Sequence, residues 1–197
     1  MSYPEYVEVN GKQYKINTNF KVAIECDKIA RDTSIKDYER ALAIIYKLFG
    51  DDGLDDSNNY EKLLELAQKY LSCNKELKND EKPDMDYNED YGYIWASFMS
   101  DYNGLDIDKT PIHWWKFNEL LSGLSNSEMG NCCVLNRIRN LRNYDMKDIK
   151  DPKERAKILK AKQEVALKRD MQPKKQPTEQ QKENAKEFLK LLGYGGD

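Results

Sequence analysis

Apolar and polar positions alternate at the start of the chain. Val7 and Val9 mark one short run and Tyr14 and Ile16 the next, with Asn10-Gly11 between them. Asn-Gly supplies the two positive-φ positions of a tight type I′ turn, so residues 6–16 are predicted to form a hairpin. After that the period becomes helical. Thr18 or Asn19 can cap a helix carrying Phe20, Ala23, Ile24, Asp27 and Ala30. Thr33 or Ser34 can cap a second with Ile35, Tyr38, Leu42, Ile45, Tyr46 and Phe49, stopped by Gly50. Ser57 opens a third, with Tyr60, Leu63, Leu64, Ala67, Tyr70 and Leu71 on one stripe.

Between residues 74 and 90 the periodicity dissolves into an acidic, apolar-poor stretch containing Pro83, which predicts a mobile surface loop. The most aromatic part of the chain follows. Tyr91, Ile94, Trp95, Phe98 and Tyr102 fall on one helical face that ends at Asn103-Gly104. Thr110-Pro111 then reads as a capping hydroxyl ahead of a proline at the first helical position. In the helix so opened, Trp114 lines up with Phe117, Leu121 and Leu124, while Trp115 and Ile112 lie nearly opposite. Such a helix is apolar on two faces. It is either packed on both sides, or Trp115 anchors a partner, since tryptophan is enriched at binding hot spots.

A further helix is predicted from Ser125 through Cys132, Cys133, Leu135, Ile138 and Leu141, weakened near Gly130. Asp151-Pro152 opens a long basic helix to about Arg169 with thin apolar content. Residues 171–177, with two prolines, read as a linker, and Thr178 with Gln181 as a capping box for a short last helix bearing Phe188, Leu189, Leu191 and Leu192. The expected organisation is therefore a mainly α protein. A helical core with an amino-terminal hairpin spans 1–145, an extended basic helix 146–170, a linker 171–177, and a short helix and tail 178–197.

Composition narrows the class without naming a function. The 197 residues are 34% charged and 39% hydrophobic, wetter than an average globular domain yet above the disordered range. No apolar run reaches the roughly 18 residues of a membrane span, and the amino end lacks the pattern of a signal peptide, so a cytosolic protein is expected. The net charge of −3 hides a strong segregation. Residues 51–110 hold sixteen acids against six lysines, and residues 134–175 hold fourteen lysines and arginines against six acids. One reading of this two-sidedness is head-to-tail self-association, the acidic loop of one copy meeting Lys153, Arg155, Lys157, Lys160 and Lys162 of another. A nucleic-acid surface is the disfavoured alternative, because the basic segment has Tyr144 as its only aromatic residue and carries no recognised motif.

Groups for catalysis are sparse. Four cysteines, two of them the adjacent Cys132 and Cys133, offer no C-x-x-C pair and read as buried, inert thiols. The only histidine, His113, has no second ligand at metal spacing and reads as structural, not as a general base. Phosphate-loop, dinucleotide and nucleophile-elbow patterns do not occur. The expectation is a non-enzyme with no cofactor and no metal.

Three stretches carry a family resemblance. They are residues 4–20 (Pro4-Glu5-Tyr6-Val7 through Phe20), residues 93–102 (Tyr93-Ile94-Trp95-Ala96-Ser97-Phe98-Met99-Ser100-Asp101-Tyr102) and residues 112–124, where His113-Trp114-Trp115-Lys116-Phe117 is the most specific run. Over about residues 4–145 the chain resembles the bacteriophage gene-product-fifteen family of the tail-morphogenesis region. The resemblance implies a non-enzymatic tail assembly chaperone that acts in the host cytoplasm and is absent from the finished virion. Its implied partners are further copies of itself and the tape measure or tail tube protein, with no membrane. The resemblance makes the aromatic run chiefly a fold signature; the candidate partner contacts, read from the residues themselves, are Trp115 and the terminal Phe188, Leu189, Leu191 and Leu192, whose helix either docks back on its own core or reaches a neighbour or client. Rival classes are a permanent tail connector or completion protein, and a nucleic-acid-binding regulator.

Overall fold

The Asn10-Gly11 turn forms as its residue types dictate. Both residues take positive φ, 52° and 79°. They join β1 (Tyr6–Val9) to β2 (Lys12–Lys15) as an antiparallel pair with Val7 opposite Tyr14. The computed structural model describes residues 2–75, 83–126, 132–147 and 149–171. The architecture is mainly α: a helical core with the amino-terminal hairpin and a carboxy-terminal helical extension. After the hairpin come α1 (Phe20–Arg31), α2 (Asp37–Leu54), a 3₁₀ turn (Ser57–Asn59), α3 (Tyr60–Leu71), α4 (Tyr91–Asp101), α5 (Trp114–Ser122), α6 (Val134–Asn143), α7 (Pro152–Glu164) and α8 (Lys168–Met171).

The core runs from the inward face of the hairpin, Val9, Tyr14 and Ile16, through α1 to α5, and ends at Leu135 of α6. Phe117 is its hub. This fully buried ring stacks on Phe20 of α1 at 4.4 Å, on Phe98 of α4 at 5.3 Å and on Trp114 at 5.9 Å, all within 17° of parallel. Helical spacing thus brings α1, α4 and α5 to one point. On α4 the expected aromatic face is only partly buried: Ile94 and Phe98 face inward, whereas Trp95 is 36% exposed and its Nε1–H donates to Asp106.

Five helix boundaries differ from expectation, each for a tertiary or local reason. The second helix, expected to stop at Gly50, kinks there at φ 65°, a conformation its missing Cβ permits, and runs on to Leu54. Asp32 accepts from both the N–H and the hydroxyl of Ser34, forming a turn there, so α2 starts later, at Asp37. The helix expected at Pro111 begins at Trp114. Phe20 N–H donates to Ile112 O and Trp114 N–H to Thr18 O, and this bridge keeps Ile112 out of the helix. The two helices therefore start side by side, α1 capped by the Asn19 side chain and α5 by His113. The helix expected from Ser125 begins at Val134, because Cys133 N–H donates to Ser125 O and Asn126 pairs with Cys132 across a bridge. The long basic helix ends at Glu164, and α8 starts after a bend at Val165–Leu167.

His113 is the cap that sequence reading missed. Its Nδ1 accepts from Trp115 N–H at 3.0 Å, which leaves the proton on Nε2 to donate to Pro4 O, also at 3.0 Å. The ring is stacked on Tyr3 at 4.9 Å. Replacing His113 by Ala should cost about 1 kcal/mol and replacing it by Asn less, because Asn is itself a strong N-cap. Denaturant midpoints of the two variants measure this difference.

Candidate interaction surface

The adjacent tryptophans act at the end of α3, where the last carbonyls of a helix lack intrahelical partners. Trp114 Nε1–H donates to Leu71 O and Trp115 Nε1–H to Tyr70 O, both at 2.9 Å. Trp115 is half-buried and stacks on Tyr70 at 6.2 Å. Both indole N–H groups are thus used within the chain, and α5 packs on two sides. Only the exposed part of Trp115 remains open to a partner. Trp115→Phe keeps the ring stacking and leaves Tyr70 O unpaired by the indole; it should cost about 1 kcal/mol in urea denaturation.

Part of the charge segregation resolves inside one chain. Asp90, 1% exposed, receives a bidentate pair from Arg142, with both N–O distances at 2.7 Å. Arg142 also donates from Nε to Val165 O at 2.7 Å and from Nη1 to Asp84 O at 2.9 Å. Its neighbours extend the clasp. Arg139 and Asn143 bind the Asp84 carboxylate, and Arg169 donates to Pro83 O and Met85 O. Lys168 N–H donates to Glu89. The described part of the acidic stretch, 83–90, is bound by these groups of α6 and of the segment after α7. Within the chain, Arg139 pairs with Asp84 and Arg142 with Asp90, while Arg169 binds carbonyls of the stretch.

Ionisation in the clasp follows its geometry. Hydrogen bonding to Asp90 raises the Arg142 pKa further. Burial opposes ionisation of Asp86, but N–H donation from Glu89 and Asn88 and the Arg31 charge outweigh it, and its carboxyl lies below the ordinary range. Burial pushes the Asp27 carboxyl up, against the attraction of Arg31. A depressed carboxyl contributes stability above its unfolded pKa, and that contribution is lost as pH falls. The amides of Asn88 and Glu89 should accordingly lose exchange protection below about pH 4.

The five basic residues singled out by sequence lie on α7, and none forms an ion pair among the described residues. Lys153, Arg155, Lys157 and Lys160 are exposed, and Lys162 donates to Tyr144 O at 2.6 Å. No residue of α7 is buried, and Leu159 is 45% exposed. On the acidic side Asp51, Asp52, Asp55 and Glu61 are exposed, with no ion pair among the described residues. Phe188, Leu189, Leu191 and Leu192 lie outside the described residues. So do the expected linker from residue 172 onward and the terminal helix.

Among the described residues, open grooves of about 670 and 680 Å³ mark the surface, and neither is lined by His113. The first lies between α4 and α6 beside Tyr102, Cys132 and Arg137; the second runs beside Lys15, Tyr46 and Lys47. Of the thiols, Cys26 and Cys133 are buried, while Cys73 and Cys132 are only half-buried. Burial pushes Cys26 up to about 12 and Cys73 up to about 11, so both stay protonated near neutrality. Among the described residues no helix is long and apolar enough to cross a membrane.

The residues sequence reading missed are Asp90, Arg142, Leu167 and Arg169. Charge segregation was the only signal, and it does not select partners tens of residues apart. A protein-family model described as Bacteriophage Gp15 protein matches residues 2–167. That match reaches past residue 145 and through α7 to Leu167. No curated protein and no solved structure matches the chain.

Proposed function

Since the chain belongs to the bacteriophage Gp15 protein family, we propose that it acts as a tail assembly chaperone that self-associates and binds the tape measure or tail tube protein. Membership makes it a phage protein of the structural and morphogenetic kind, from a family not known as enzymatic. The observation that carries the finer reading is α7, a thirteen-residue helix without a buried residue. An exposed helix offers a surface on which another copy or a client helix can pack. The site of action in this reading is the host cytoplasm, with release before the virion is complete.

The test compares lysate with particle. The chain should co-purify with the tape measure or tube protein from cells making phage, and be missing from purified virions. Its presence in virions at ring-like copy number would favour a permanent connector or completion protein and end the chaperone reading. Salt-sensitive binding to DNA or RNA would instead favour the regulator.

A further inference from the structure

The helix α7 is held mainly at its far end. Over about 20 Å of helix it contributes no buried residue, and Lys162, which donates to Tyr144 O, lies in its last turn. Beyond it the chain is seated firmly. Val165 O takes Arg142 Nε, Lys168 N–H binds Glu89, and Arg169 reaches Pro83 O and Met85 O. Leu167 is 1% exposed, yet it packs outside the contiguous core that ends at Leu135. Removing residues 165–169 from this seat therefore leaves the aromatic hub and the hairpin untouched. The side-chain ties of the arm are thus gathered at one end of α7, a layout that lets it open without the core.

From this layout we infer that the seat formed by 83–90 and Arg142 also accepts residues 165–169 of a second copy, so that the protein self-associates by exchanging arms. The occupant is specified by chemistry already on display: a carbonyl for the guanidinium, a leucine for the pocket and an arginine for two carbonyls. Each contact is remade with identical groups, so closed and exchanged forms differ chiefly in connecting-segment strain and association entropy, and concentration decides between them. Non-reciprocal exchange gives an open head-to-tail array. This deepens the self-association part of the proposed function at a different contact, since Asp84, Asp86 and Asp90 are engaged by Arg139, Arg31 and Arg142 of their own chain.

Cross-linking of the full chain tests the exchange. One preparation carries Glu89→Cys and another Lys168→Cys; they are mixed and treated with a short bis-maleimide, beside the parent chain for background from Cys73 and Cys132. A covalent heterodimer that rises with concentration is expected, and it should vanish when Leu167→Asp is added to the Lys168→Cys chain. A chain carrying both cysteines serves as the reference for the closed form. If that chain links only to itself while the mixed single variants never join, exchange is refuted. Failure of both to link refutes the seat itself. Oligomers seen by light scattering without the heterodimer would place self-association elsewhere, and would equally overturn arm exchange. None of these outcomes depends on the virion comparison, so the two readings fail separately.

Discussion

Arg142→Ala should lower stability by about 3–5 kcal/mol, the cost of leaving a buried carboxylate without its partner. Asp90 is 1% exposed and keeps only the Asp86 N–H, while Val165 O and Asp84 O each lose a charged donor. Pairing Arg142→Met with Asp90→Leu should cost distinctly less than the sum of the two single changes, since no lone charge is then buried. Guanidinium denaturation of the four chains gives the coupling. Additive losses would mean that Asp90 finds water or another cation in the variant. Hydrogen exchange adds the location: amides around 83–86 and 165–171 should open in Arg142→Ala while those of α1 and α5 stay protected.

Phe117→Ala acts on the other centre of the molecule and should also remove about 3–5 kcal/mol. Its ring contacts Phe20, Phe98 and Trp114 at once, so the cavity would open where α1, α4 and α5 meet. Against a total of about 5–15 kcal/mol for a domain, such a loss approaches unfolding. Phe117→Leu keeps most of the volume and should cost less. Near-ultraviolet dichroism should lose the Trp114 band in the alanine variant and retain much of it in the leucine variant. Here protection should fall throughout the core, in contrast to the local opening expected for Arg142→Ala.

The contrast between these two centres explains what could be read from sequence. The hub was visible because it follows local rules: Phe20 and Phe117 fall on helical stripes, and Asn10-Gly11 encodes its own turn. The caps of α5 and α6 were not, because Ile112 is held by Phe20 and Cys133 by Ser125, contacts between segments that no local signal links. The end of α7 was hidden for the same reason. Lysine-rich helical spacing continues to Arg169 in the sequence, but at Val165 the carbonyl accepts from the Arg142 guanidinium and Leu167 turns inward to burial. The clasp was half legible. Opposite charges in two segments indicated attraction, yet nothing in the sequence said that the partner would be the same molecule.

The indole pair at the end of α3 has a practical corollary. Two of the three tryptophans sit at this single joint, and α7 and α8 contain neither tryptophan nor tyrosine. Intrinsic emission will therefore shift to the red when α3 leaves α5, but stay dark to any movement of the arm. A fluorescence melt will report the core alone, and departure of the arm needs a dye placed on it.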